Sequence, residues 1–331
     1  MSLGAPRLSQ SAFIADLSGR ERSFLRVLAT VVAGGLGGVI VGLTCGIAAL
    51  LAFAAATGAL SGGVGGLPQH VTALVGANGA SVQSALVLLT LATATNAPWA
   101  ATFIAMAALI GGRRPLGYVT VAPRIRWGLL GTGLAMSFAI IGPLVAAGQL
   151  LDPHATPAPV LSLSKDWPTR LGYAAACVAL LIPAAAAEEV VFRGWLLRES
   201  AALSRNPIFL MAVNGVLFSA VHGEFAPDAF LTRALMGAGF VYMTLRLGGI
   251  EFSTGAHAAN NILIVLFIQP LSLKPAATGG LTADAMFQDA FLFASYVIMA
   301  EIVARWPPLR RLTGADAAEI VPIERTAQTL S

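Results

Sequence analysis

Residues 171–193 read LGYAAACVALLIPAAAAEEVVFR, and this stretch decides the fold. Leu171 to Ala187 carry no charge; Glu188 and Glu189 then stand side by side, with Arg193 just beyond. A run of this kind has the make-up of a membrane span, which needs roughly 20 apolar residues. Ionisable groups at that depth are costly, so they normally face a cavity or a partner and mark function.

The rest of the chain has the same character. Of its 331 residues, 56% are hydrophobic and only 11% are charged, where soluble domains carry about a quarter charged residues. No Asp, Glu, Lys or Arg occurs between Arg26 and Arg113, which leaves room for two spans and a Gly-rich connection. The expected fold is an all-α polytopic membrane bundle of about eight transmembrane helices. They are drawn at 27–58, 82–111, 128–151, 171–197, 207–223, 230–247, 250–270 and 286–304, with Gly/Pro linkers at 61–68, 153–159 and 275–280. The organisation divides into a cytoplasmic N-terminal segment 1–26, a three-span region 27–151, a catalytic core 170–304 and a cytoplasmic tail 305–331.

A net charge of +4 does not point to nucleic acid here, because the basic residues cluster between apolar segments. With the N-terminus inside, sixteen of the twenty basic residues fall on the cytoplasmic side. Only Lys165, Arg170, Arg233 and Lys274 fall outside, so both termini are expected in the cytoplasm. The first apolar run is too long for a signal-peptide core and reads as a retained anchor. Cys45 and Cys177 sit in spans and read as small core residues.

The chemistry concentrates after residue 187. Glu189 and Arg193 are four apart on one helix face, an arrangement that forms an ion pair, whereas Glu188 is rotated by roughly 100° and left to face a site. Glu188 lies 17 residues before Arg205 and His222 lies 17 after it. An antiparallel hairpin turning near Arg205, with Asn206 and Pro207 next, returns both to one depth, where a carboxylate and an imidazole can share a water. Phe218, one turn before His222, is placed to fix its ring. His257 and Asn261 share a second helix face; imidazole and carboxamide donors suit an oxyanion. Asn260 points elsewhere, toward a neighbouring helix. Asn96, two residues before Pro98, reads as a helix kink with a satisfied side chain. Glu301 and Arg305 are a local pair.

Together, Glu188-Glu189-x-x-x-Arg193, Phe218-x-x-x-His222 and His257-x-x-x-Asn261 resemble the three-motif signature of the CAAX prenyl protease and bacteriocin-processing family of intramembrane endopeptidases. Phe192-Arg193-Gly194-Trp195-Leu196 supplies a matching context, and the resemblance covers about residues 170–270. It implies an endopeptidase in which Glu188 and His222 activate water and His257 with Asn261 forms the oxyanion hole. Glu189, Arg193 and Phe218 support them. Although the family often carries a metalloprotease label, no His-Glu-x-x-His zinc pattern is present, and a metal-free mechanism without cofactor is preferred. If zinc is bound, Glu188, His222 and His257 are its ligands.

The remaining alternatives are a non-catalytic immunity or peptide-binding protein and a transporter. Against a transporter, intramembrane polar groups concentrate between Glu188 and Asn261 instead of recurring in two halves. Eighteen arginines against two lysines in an Ala/Gly-rich chain suggest a bacterial inner-membrane protein acting on a membrane or secreted peptide. Helical rise puts Glu188 roughly 15 Å and His257 roughly 12 Å in from the cytoplasmic border. His222 at that depth requires a short fifth helix followed by a re-entrant or cavity-lining segment bearing Glu224 and Asp228. The site is expected to open to the cytoplasm.

Overall fold

The computed structural model describes residues 8–17, 19–58, 67–151, 155–272 and 280–316. Most of the linkers expected at 61–68 and 275–280, together with Arg7, Lys274 and Arg325 of the charge pattern, lie outside the described residues. Eight long helices carry the fold: α1 (Phe24–Ala56), α2 (Val82–Gly111), α3 (Trp127–Leu151), α4 (Trp167–Leu203), α5 (Pro207–Ala220), α6 (Pro227–Leu247), α7 (Glu251–Leu263) and α8 (Ala283–Arg305). Among the described residues there is no strand, only an isolated bridge between Thr120 and Gly249.

The chain is an all-α polytopic membrane bundle, and its eight helices fall where eight spans were drawn. Not all eight are spans in their own right. Among the described residues five helices, α1 to α4 and α8, are long and apolar enough to cross a membrane. Helix α5 has 14 residues, a rise of about 21 Å against a hydrocarbon core of about 30 Å. Helix α7 has 13 residues, and α6 carries Asp228, Arg233 and Arg246. Packing explains α6 and α7: helices covered by their neighbours need not be apolar along a full bilayer. Helix α5 keeps Ile208, Val216 and Leu217 exposed and falls short by its length alone.

Helix α7 is the extreme case, with every residue buried except Asn261. Small residues make this possible. A Cβ on Gly255 would lie 2.1 Å from the Leu130 carbonyl oxygen, and one on Gly133 would lie 2.3 Å from that of Phe252, so α3 and α7 touch backbone to backbone. On one side α7 joins a core of Leu129, Phe240, Met243, Tyr296 and Met299. On the other, its Ala258 and Ile262 pack with Leu89 of α2 and with Cys177 and Leu181 of α4.

Local chemistry sets the helix ends. Asp166 begins α4 by accepting a hydrogen bond from the Thr169 amide; bonds from Ser164 and Thr169 hold its carboxyl at about 2. Asn206 caps α5 by accepting from the Ile208 amide at 2.9 Å, with Pro207 in the first turn. These two residues make the short 204–206 turn that folds α5 back along α4, at the place expected from the sequence. Gly248 takes a left-handed φ of 70° to end α6 and let α7 start almost at once.

The N-terminal segment is more than a polar leader. Phe13 and Ile14 are fully buried among Leu197, Leu210, Val241, Leu245 and Ile250. Arg198, near the end of α4, donates to the Phe13 carbonyl and pairs with Asp16 at 2.5 Å. A polar leader hid this contact, because its apolar island is only Ala12-Phe13-Ile14.

Candidate active site

Helix α4 presents both glutamates and then changes its winding. Val190–Leu196 is a π-helical segment immediately after Glu189, a distortion frequent at functional sites. It carries Arg193 and lets Gly194 approach another chain segment; a Cβ there would lie 2.4 Å from the Tyr118 carbonyl oxygen. A second π segment, Ile264–Ile268, follows α7 just past Asn261. Both features escaped the sequence analysis, since π windings have no residue signature there.

The two glutamates divide between cavity and core. The Glu188 side chain is 29% exposed, while Glu189 and Arg193 are fully buried. The expected Glu189–Arg193 ion pair is present at 3.0 Å. Arg193 also donates to the Gly237 carbonyl and lies over the Phe218 ring, 4.3 Å from its centroid. The guanidinium is thereby held by a charge, a carbonyl and a π face.

His222 follows the end of α5, in the turn where Gly223 takes a positive φ of 69°. Its Nδ1 lies 2.7 Å from the Phe218 carbonyl oxygen. A carbonyl only accepts, so Nδ1 carries the proton and Nε2 faces Glu188 as a lone pair in the neutral ring. That Nε2 is 3.9 Å from Glu188 Oε2. The hairpin has brought the two residues to one level.

His257 reaches the same carboxylate from inside the bundle, with its Nε2 3.8 Å from Glu188 Oε2. Its Nδ1 sits 3.0 Å from Glu189 Oε1, and the buried carboxylate beside Arg193 accepts a hydrogen bond from Nδ1–H. This refines the sequence-derived role, in which a neutral imidazole donates to an oxyanion. With Nδ1–H committed to Glu189, the neutral ring offers only an acceptor at Nε2, so donation there requires the imidazolium. Phe240 stacks on the ring at 5.0 Å and Phe218 meets it edge-on at 5.8 Å. Tyr296 of α8 backs Phe240 at 5.0 Å. Phe240 and Tyr296 are the supporting residues the sequence did not reveal, because an aromatic in an apolar run carries no local mark.

A cleft of about 500 Å³ opens onto this cluster, with Glu188, His222, Phe192 and Val221 on one side. Gly38, Val39 and Leu43 of α1 and Thr95, Asn96 and Trp99 of α2 form the other. Asn261 lies one turn beyond His257 and is not among the described residues lining the cleft. Asn260 turns away and donates to Met236 Sδ of α6. Two other expectations are corrected here. Asn96 does not have the satisfied side chain expected of it: in a helix that continues through Pro98, it is exposed in the cleft. The short fifth helix is present as expected, but the residues after it that line the cleft are Val221 and His222, while Glu224 pairs with Arg233 and Asp228 stands in the first turn of α6.

The donor set offers zinc the right atoms at the wrong spacing. Two ligands of a tetrahedral zinc with bonds of about 2.0–2.1 Å lie roughly 3.4 Å apart. Here the carboxylate oxygen stands 3.8 and 3.9 Å from the two nitrogens. Among the described residues no group of three His, Cys, Asp or Glu side chains is arranged to hold a metal.

A multi-span helix bundle with a carboxylate–histidine cluster beside a cleft between its helices defines the class: a polytopic membrane protein with a polar site among its helices. Residues 170–263 match the family described as type II CAAX prenyl endopeptidase Rce1-like, which bears out the resemblance carried by the three motifs. The chain is also similar to an uncharacterized protein of Bacillus subtilis (strain 168), YyaK, at 31% identity over 202 residues. That alignment covers 57% of this chain and 64% of the relative. No solved structure matches the chain.

Proposed function

We propose that the protein is a membrane-embedded endopeptidase that hydrolyses a peptide bond of a membrane-associated or secreted peptide. One observation carries this: Glu188, on the wall of a cleft between helices, has its Oε2 3.9 Å from Nε2 of His222, which shares that wall, and 3.8 Å from Nε2 of His257, which is buried behind it. Those separations are too long for direct hydrogen bonds, and they suit one water oxygen at about 2.8 Å from each partner.

The residues then have distinct tasks. Glu188, helped by His222 Nε2, takes a proton from the water as its oxygen attacks the substrate carbonyl carbon. The carbonyl oxygen becomes an oxyanion, and His257 as imidazolium stabilises it through Nε2–H while Glu189 holds the ring. Asn261 adds a carboxamide donor if its side chain turns toward the cleft when substrate enters. The proton taken from water passes to the leaving nitrogen as the C–N bond breaks, so water is divided between the two products. The route uses no metal; the spacing of the donors supports that choice.

A bacterial plasma membrane is the proposed location, supported by the Bacillus relative, with the cleft open to the cytoplasm and the basic segments on that side. The test is cleavage of a peptide library by the purified chain in nanodiscs, with fragments read by mass spectrometry. Glu188→Gln should lower turnover by about 10²- to 10⁴-fold and retain bound peptide. Near wild-type cleavage by Glu188→Gln would overturn the assignment.

A further inference from the structure

The cleft carries a polar group that the proposed chemistry does not use. Asn96 is near the midpoint of α2, a 30-residue helix, where a carboxamide is costly unless it is partnered. The neighbouring hydroxyls of α2 are satisfied. Thr93 donates to the Leu180 carbonyl at 2.9 Å, Thr95 to Leu91 at 2.7 Å and Thr102 to Pro98 at 2.9 Å. The Asn96 side chain makes no such bond to the described residues; it is exposed on the wall that faces Glu188 and His222. Around it the surface is apolar: Val39 and Leu43 of α1, Trp99, Phe192 and Val221. Helix α1 holds that wall close, since a Cβ on Gly42 would lie 2.7 Å from the Thr95 carbonyl oxygen.

We infer that Asn96 binds the main chain of the substrate peptide and sets its register against Glu188. The inference rests on the endopeptidase reading for the identity of the ligand. A carboxamide offers one acceptor and two donors, which matches the paired C=O and N–H of an extended peptide unit. The apolar surroundings fit the side chains of a hydrophobic segment. Asn96, with Val39, Leu43 and Trp99 beside it, lies outside residues 170–263, so the region of the chain beyond the matched segment contributes directly to substrate selection.

The experiment compares Asn96→Leu and Asn96→Gln with the wild type in nanodiscs, using a fluorophore-labelled library of Ala/Leu/Val dodecapeptides. Binding is measured in the Glu188→Gln background and cleavage in the active one. Leucine removes the hydrogen bonds at similar volume and suits a membrane helix, so the variant is expected to fold. Asn96→Leu should weaken binding and raise KM by about tenfold, with kcat changed by less than about threefold, and Asn96→Gln should recover most of the loss. Equal binding by wild type and Asn96→Leu, or no binding by either, overturns the inference. Cleavage that continues with an unchanged KM leaves the endopeptidase standing and removes Asn96 from it. Asn96-dependent binding with no peptide cleaved does the reverse.

Discussion

One oxygen of Glu189, Oε1, lies 3.0 Å from Arg193 Nη1 and 3.0 Å from His257 Nδ1. The same carboxylate therefore neutralises a fully buried guanidinium and fixes the tautomer of a histidine that faces Glu188. Glu189→Gln should lose on both counts. Removing one partner of a buried ion pair costs about 3 kcal/mol, visible as a lowered unfolding temperature in nanodiscs. Turnover should fall at least about tenfold, because an amide does not stabilise the imidazolium as a carboxylate does. Glu188→Gln, by contrast, should unfold near the wild-type temperature while losing its activity. Unchanged turnover in Glu189→Gln would reduce that residue to a counter-ion for Arg193.

The spacing of Glu188, His222 and His257 makes its own prediction about metal. Activity should survive exhaustive dialysis against strong chelators, and the purified protein should carry well below one equivalent of zinc by mass spectrometry. Activity lost on dialysis and restored by zinc, at about one bound equivalent, would show that the three side chains close by several tenths of an ångström onto an ion.

Much of the fold was legible because lipid imposes coarse rules. The charge-free gap from Arg26 to Arg113 and the Gly/Pro breaks located the helices, and Asn206-Pro207 located the hairpin that pairs Glu188 with His222. The sequence was less informative where packing overrides composition. The seventh segment was drawn as a span at 250–270, whereas α7 is a short buried helix, and its burial follows from Gly133 and Gly255, whose partners are distant in sequence. Glu189 read as a partner for Arg193 alone because helical spacing reports neighbours on one helix, while His257 arrives from another. Asn96 next to Pro98 looked like local backbone chemistry; its place in the cleft depends on how α1 and α2 meet.

The close contact of α3 with α7 supplies a matched pair of substitutions. At Gly133 a Cβ would stand 2.3 Å from the Phe252 carbonyl oxygen, whereas at Gly131, two residues earlier on the same helix, nothing lies within 4 Å. Gly131→Ala should be neutral or gain up to about 1 kcal/mol from helix propensity. Gly133→Ala should lose about 3 kcal/mol, at the upper end for overpacking because backbone cannot rotate away. It should also reduce activity, since α7 carries His257. Thermal unfolding of both variants decides this, and equal stability would mean that α3 slides without penalty.

The docked N-terminal segment should respond to pH. Burial pushes the Asp16 carboxyl up, but Arg198, and then Arg113, more than offset it and hold the group below its usual value. A carboxyl with a depressed folded-state pKa contributes stability in full above its unfolded pKa, about 3.9, and loses it as the pH falls through the lower folded value. At neutral pH Asp16→Asn should therefore loosen residues 8–17, leaving Arg198 with the Phe13 carbonyl alone. Hydrogen exchange of this segment, followed by mass spectrometry, should be faster in Asp16→Asn than in wild type at pH 7. The difference should shrink progressively below about pH 4. Because Phe13 packs on Leu197 and Leu245, release should reach the ends of α4 and α6 and stop short of the cleft, so peptide cleavage at pH 7 should change by less than about twofold. Equal protection in both proteins at pH 7 would show that Phe13 and Ile14 anchor the segment without the ion pair.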